Sequence, residues 1–133
     1  MERSLSEQVS FLREIFKRNS SETFLIDIRS GKKLTYREVE ERSLRLASLL
    51  KKQGVEKGDR VAAMLHNSLE CSLLYFACMQ IGAVIVPINQ RLTKEEVNVL
   101  LAESTPRLFF TAIDGLLEES EKNEPVAQRS FDT

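Results

Sequence analysis

The chain has 133 residues, 42% hydrophobic and 29% charged, a globular balance that excludes wholesale disorder and suits one domain of ordinary size. Nineteen Lys and Arg against twenty Asp and Glu leave a net charge of −1, which gives no electrostatic footprint for nucleic acid or an anionic membrane. The longest apolar run, Gly82 to Ile88, is far short of the roughly 20 residues that span a bilayer.

The opening string MERSLSEQVSFLREIFKRN interleaves charged and apolar residues and lacks the unbroken apolar stretch of a secretory leader. Leu5, Val9, Leu12, Ile15 and Phe16 recur at helical spacing, which predicts an amphipathic opening helix. Thr23 to Ile28 is strand-like, Arg29 to Lys33 forms a turn, and Leu34 resumes an extended chain, so a β-hairpin is expected. A second helix starts at Thr35, where Thr-Tyr-Arg-Glu is a capping box. Its apolar set Val39, Leu46, Leu49 and Leu50 continues to Gln53, and Gly54 ends it in the left-handed region.

Val55 to Asp59 is a polar turn. Arg60 to Leu65 follows, apolar on both faces, the pattern of a strand in a parallel sheet covered by helices. Asn67 or Ser68 caps a nearly all-apolar helix, Leu69 to Ile81, which Gly82 closes. Within it Cys71 and Cys78 lie seven residues apart on one face. Their Cα atoms are then about 10 Å apart, too far for a disulfide, so both read as small buried apolar groups. A second strand expected to be buried on both sides spans Ala83 to Ile88. A second capping box, Thr93 to Glu96, opens a helix to about Glu103, Pro106 stops it, and Arg107 to Thr111 forms a third strand.

From Arg60 the order is β-α-β-α-β with short connections. The expected fold is therefore α/β, a mostly parallel open sheet with helices on both faces, preceded by an N-terminal helix and a β-hairpin. The folded part is assigned to residues 1–117, and the polar stretch 118–133, which contains Pro125, reads as a frayed helix end or disordered tail.

In an open α/β sheet, ligands sit beyond the carboxyl ends of the strands. Three loops qualify: Leu65 to Ser68, Ile88 to Leu92, and Thr111 to Asp114. They offer His66, Asn67, Asn89 and Arg91 as candidate contacts. Each has a structural alternative: a loop hydrogen bond for His66, a helix cap for Asn67, a backbone tie for Asn89, and a salt bridge to Glu95 or Glu96 for Arg91. Arg91 presents a planar fork that suits phosphate or carboxylate. The sequence contains neither GxxxxGK[ST] nor GxGxxG. The adjacent pairs Glu40-Glu41, Glu95-Glu96 and Glu118-Glu119 point different ways along helices and read as solvated faces. One histidine and no CxxC pair give no basis for a zinc site, so no catalytic, cofactor-binding or metal-ligating residue is assigned.

Leu34 to Phe110 nevertheless resembles the N-terminal region of adenylate-forming enzymes, which include acyl-CoA synthetases, peptide-synthetase adenylation domains and luciferases. The matching pieces are LTYRE, Gly54 with Gly58-Asp59-Arg60-Val61-Ala62, NSLE from Asn67 to Glu70, and GAVIVPINQRLT from Gly82 to Thr93. The last piece, followed by KEEV, is most similar to acyl- and aryl-CoA ligases.

The resemblance implies a two-step reaction in the parent enzyme. A carboxylate attacks the α-phosphorus of ATP, with magnesium, releasing pyrophosphate and forming an acyl-adenylate; the coenzyme A thiol then displaces AMP to form the thioester. Such enzymes use a Ser/Thr/Gly-rich phosphate loop ending in Lys-Gly, an aromatic-x-x-Thr-Glu segment, a ribose-binding aspartate and a C-terminal lysine. None of these occurs in the 133 residues, so no family site residue is transferred. The expectation is a partial subdomain of a larger enzyme, a cytoplasmic ligase of fatty acid metabolism. By itself it is expected to be inactive and to bind no ATP, magnesium or CoA. Its partner is then the remainder of the parent enzyme. The alternative is a stand-alone interaction or dimerisation module that associates with itself; an unrelated flavodoxin-like binder is a weaker third, since the strand ends lack a phosphate-binding Ser/Thr loop.

Overall fold

The structure is a computed structural model and describes residues 4–111. Nine elements follow in order: α1 (Leu5–Arg18), β1 (Thr23–Ile26), β2 (Lys33–Thr35), α2 (Tyr36–Lys52), β3 (Arg60–Ala63), α3 (Leu69–Ile81), β4 (Val84–Pro87), α4 (Lys94–Ser104) and β5 (Leu108–Phe110). The β1–β2 hairpin is antiparallel, and β4-β3-β5 form a parallel three-stranded sheet, so the fold is α/β as the sequence predicts. The stretch 118–133 lies outside the described residues.

Local hydrogen bonds fix the helix starts. Ser4, Thr35 and Thr93 each accept from the backbone N–H three residues on, and Glu7, Glu38 and Glu96 each accept the cap residue's own N–H in return. Two of these capping boxes were expected; the third, Ser4 with Glu7, is present in the sequence as Ser-Leu-Ser-Glu and was not singled out. At the other ends, Gly82 closes α3 at φ 73° and Gly54 follows α2 at φ 89°, conformations that need no Cβ. At Gly54 a Cβ would also come within 2.7 Å of Arg107 Nη2.

The pleat of β3 divides the core. Val61 and Ala63 face one way with Leu108 and Phe110, joining the large cluster built by α2 and α3, while Ala62 faces the other way with Phe109 and Val97 of α4. Helices thus cover both faces, thickly on one and by α4 on the other. Phe16, Phe24, Tyr36 and Phe76 tie α1, the hairpin, α2 and α3 together through tilted and edge-on ring contacts at centroid distances of 4.3 to 6.1 Å.

The sheet corrects one expectation. Strand β4 is not buried on both sides: Val84 is 49% exposed and Pro87 is exposed, because β4 lies at the sheet edge and pairs only with β3 among the described strands. Central β3 does have the two-sided burial expected, with Val61, Ala62 and Ala63 all buried. The strands are also shorter than the apolar runs, since Leu65, Ala83 and Ile88 fall outside the ladders. Arg60 has a role beyond its strand. Its guanidinium donates to the carbonyls of Ser104 and Thr105 at 2.9 and 3.1 Å and to that of Gly58 at 3.0 Å, placing a cation at the C-terminal end of α4.

Candidate functional site

Parallel strands place their carboxyl ends on one side, so the loops after β3 and β4 are brought together. Between them lies an open cleft of about 700 Å³. His66, Asn67, Asn89 and Arg91 all line it, so the four residues named from the sequence meet in one place. Of the third candidate loop, Thr111 is the last described residue, and 112–114 lie outside the described residues.

Loop geometry sets what each residue offers. Ile88 N–H donates to the Ala63 carbonyl at 2.8 Å, which holds the end of β4 against β3. Asn89 Oδ1 then accepts the Arg91 N–H at 2.9 Å, the backbone tie expected for this side chain. The amide is thereby committed to shaping the loop. Arg91 is exposed, and its guanidinium makes no ion pair with Glu95 or Glu96, so the salt-bridge alternative is not the one the structure adopts. Glu96 instead uses its carboxylate to cap α4.

Of the two residues offered as the cap of α3, Asn67 and Ser68, the structure uses the second. The cap of α3 is Ser68, whose Oγ accepts the Cys71 N–H at 3.1 Å. A hydroxyl one residue nearer the helix has the short reach this geometry requires. Asn67 is left exposed on the cleft wall, and His66 is exposed beside it.

Three contributors were not singled out as site residues. Cys71 and Tyr75, one turn apart on α3, line the floor of the cleft. Burial pushes the Cys71 thiol above its ordinary value, partly offset by a hydrogen bond with Tyr75, whose own hydroxyl is pushed up chiefly by burial. Cys78, deeper in the same helix, is pushed up to about 12 by burial. Both cysteines are free and buried, as expected, and stay protonated at neutral pH.

The third is Arg29, in the turn between β1 and β2. Asp27 builds this turn: its Oδ1 accepts the Arg29 N–H at 2.9 Å, and its carbonyl accepts the Gly31 N–H at 2.7 Å. That bond to the Arg29 backbone is the main reason the Asp27 carboxyl titrates below its ordinary range. A smaller adjoining cleft of about 340 Å³ shares Arg29 and Asn67 and runs along Ile26 and Ile28 toward Leu69. The only sequence signal for Arg29 is a cation at a turn tip, which does not say which strand ends lie opposite.

Arg29, Arg91 and neutral polar groups line the main cleft together with the apolar Ala63, Leu65, Pro87 and Ile88, and no carboxylate is among the lining residues. The cleft can accept an anion. It offers magnesium no carboxylate oxygen, the ligand such a hard cation takes. Among the described residues no three His, Cys, Asp or Glu side chains gather to hold a metal ion. Among the same residues no helix is long and apolar enough to cross a membrane.

Comparison with known proteins extends these observations. A family model described as AMP-binding enzyme matches residues 12–132. A fatty acid–acyl-carrier-protein ligase of Streptomyces coeruleorubidus is 41% identical over 80 residues, 60% of this chain and 15% of that protein. A long-chain-fatty-acid–CoA ligase of Mycobacterium tuberculosis is 40% identical over 78 residues, 59% of this chain and 16% of that protein. Among solved structures, the NpsA N-terminal subdomain of Klebsiella oxytoca, in complex with anthranilyl-AMSN, superposes with a TM-score of 0.77 at 27% identity. That match covers 90% of this chain and 34% of the other. The matched regions thus span about 15% of the length of the two ligases.

Proposed function

The chain belongs to the AMP-binding enzyme family, and on that premise we propose that it forms the N-terminal portion of the large domain of an ATP-dependent acyl-CoA synthetase. In the whole enzyme a carboxylate and ATP give an acyl-adenylate and pyrophosphate, and the CoA thiol then gives the thioester and AMP. The observation that carries this reading is the 40–41% identity to ligases that activate fatty acids. Residues 1–117 serve as one wall of that domain, with 118–133 as a polar tail. The strand-end residues His66, Asn67, Asn89 and Arg91 face the acyl or CoA channel. A cytoplasmic location agrees with two buried free thiols.

By itself the chain is inactive and binds no ATP, magnesium or CoA productively. Support comes from the sequence, where no Ser/Thr/Gly-rich loop ending in Lys-Gly and no aromatic-x-x-Thr-Glu segment occurs. The test is pyrophosphate release from the 133-residue chain supplied with ATP, magnesium, CoA and a panel of fatty acids. No release above the protein-free blank is expected, and sustained turnover overturns the assignment of inactivity. Sequencing the gene beyond Thr133 tests the other half: continuation into a Ser/Thr/Gly-rich loop is expected, and a stop codon there overturns it.

One observation favours a second reading, self-association. Strand β4, an edge among the described strands, presents half-exposed Val84, and α3 presents Met79, 52% exposed; such an edge invites another chain. Light scattering on dilution separates the two, because a monomer at all concentrations removes this alternative.

A further inference from the structure

Strand β4 is an edge among the described strands, and two hydrogen bonds fix which way its backbone groups point. The Val84 N–H donates to the Asp59 carbonyl at 2.7 Å, and the Ile88 N–H donates to the Ala63 carbonyl at 2.8 Å. Along a strand, successive residues direct their N–H and C=O groups to alternate sides. Val84, Val86 and Ile88 therefore face β3, while Ala83, Ile85 and Pro87 face the outer edge.

A strand added at that edge needs donors from the outer row. The Ala83 N–H is already committed, because it donates to the Cys78 carbonyl in the last turn of α3 at 3.0 Å. Pro87 carries no N–H at all. Ile85 is left as the only donor of the row. If two copies paired their β4 edges antiparallel, Ile85 of one copy could stand opposite Pro87 of the other and exchange two N–H···O bonds with it. Proline deletes one bond from each such pair, and its ring Cδ fills the place of the donated hydrogen. The position is specific. A proline at 86 or 88 would instead remove a bond to β3, whereas at 87, opposite Ala63, it leaves that ladder whole.

We infer that Pro87 closes the outer edge of β4 to strand pairing and so keeps this short, apolar, partly exposed strand from joining a second copy of the chain. The inference goes beyond the ligase assignment and does not rest on it. It also narrows the self-association alternative: a copy that docks at Met79 and Val84 does so through side chains, without a ladder along β4.

Pro87→Ala and Pro87→Val in the 133-residue chain each restore the outward N–H, the first with little added apolar surface. Pro87 is exposed and the restored group points away from β3, so the fold is spared, and the urea midpoint of the dilute protein verifies this. By sedimentation across a wide concentration range, both variants are expected to self-associate about tenfold or more tightly than the parent, since a symmetric pairing regains one bond in each direction. In both, hydrogen exchange at the Ile85 amide should slow as concentration rises, and in the parent it should not. Adding Val84→Lys, which puts a charge on the edge, should restore the parent's behaviour. Adding Val99→Lys, at an equally exposed apolar position on α4, should not. Four outcomes overturn the inference: variants that associate no more tightly than the parent, a gain in Pro87→Val that Pro87→Ala does not share, an Ile85 amide that already gains protection with concentration in the parent, or reversal by Val99→Lys as complete as by Val84→Lys. Pyrophosphate release plays no part in these measurements, so the ligase assignment and the closed edge stand or fall separately.

Discussion

Gln80 sits on the last turn of α3, 8% exposed, and neither its Nε2 nor its Oε1 has a hydrogen-bond partner among the described residues. A buried amide without partners forfeits the hydrogen bonds it makes with water in the unfolded chain. Methionine has a similar length and no such requirement. Gln80→Met is therefore expected to stabilise the fold by about 1–3 kcal/mol, seen as a higher urea midpoint with an unchanged slope. An unchanged or lower midpoint shows that the amide is satisfied in solution. Helical spacing alone puts Gln80 among apolar neighbours without revealing that both its polar atoms are sealed from solvent. Arg60 makes the opposite point: its sequence position says strand, and only the packed structure shows its side chain capping α4.

At the scale of elements, the helix starts depend on bonds that span three residues. Thr35 Oγ1 accepts the Glu38 N–H at 3.2 Å, and the Thr35 N–H donates to Glu38 Oε1 at 3.2 Å. Thr35→Ala removes the first bond and is expected to cost about 1 kcal/mol in urea unfolding at neutral pH. The reciprocal bond has a pH signature. The Thr35 backbone N–H, more than any other group, lowers the Glu38 carboxyl in the folded chain below its ordinary value of 4.5. The unfolded chain thus takes up this proton first on acidification. The stabilising contribution is complete above about pH 4.5 and is lost as pH falls through the lowered folded value. The stability difference between the parent and Glu38→Ala should accordingly shrink in acid; a difference that stays constant from pH 7 to pH 3 refutes the linkage. Capping boxes such as these were legible in advance, because donor and acceptor lie within one helical turn. The choice of Ser68 over Asn67 as the cap of α3 was not, since both residue types cap well and backbone geometry decides between them.

Across the whole molecule, β3 separates two unequal cores. Leu74 of α3, fully buried, belongs to the large cluster, and Val97 of α4, equally buried, belongs to the smaller one. Leu74→Ala is expected to cost about 2–5 kcal/mol in urea unfolding, because surrounding helices cannot collapse into the space. Val97→Ala removes fewer atoms from a thinner layer that can close up, and a smaller loss is expected; a larger loss there would show that α4 is the stronger anchor.

The type and order of the elements, the caps at Thr35 and Thr93, the two-sided burial of β3, and the family, through motifs between Leu34 and Phe110, were legible in the chain alone. These depend on residues close in the chain, where periodicity and short hydrogen bonds act. Tertiary structure alone decided that β4 is an edge, that the four strand-end residues share one cleft, and that Arg29 reaches it from the hairpin. Periodicity records which face of an element is apolar. Which elements stand side by side follows from packing across the whole sheet, and it is this packing that brings Arg29 and Arg91 to one site.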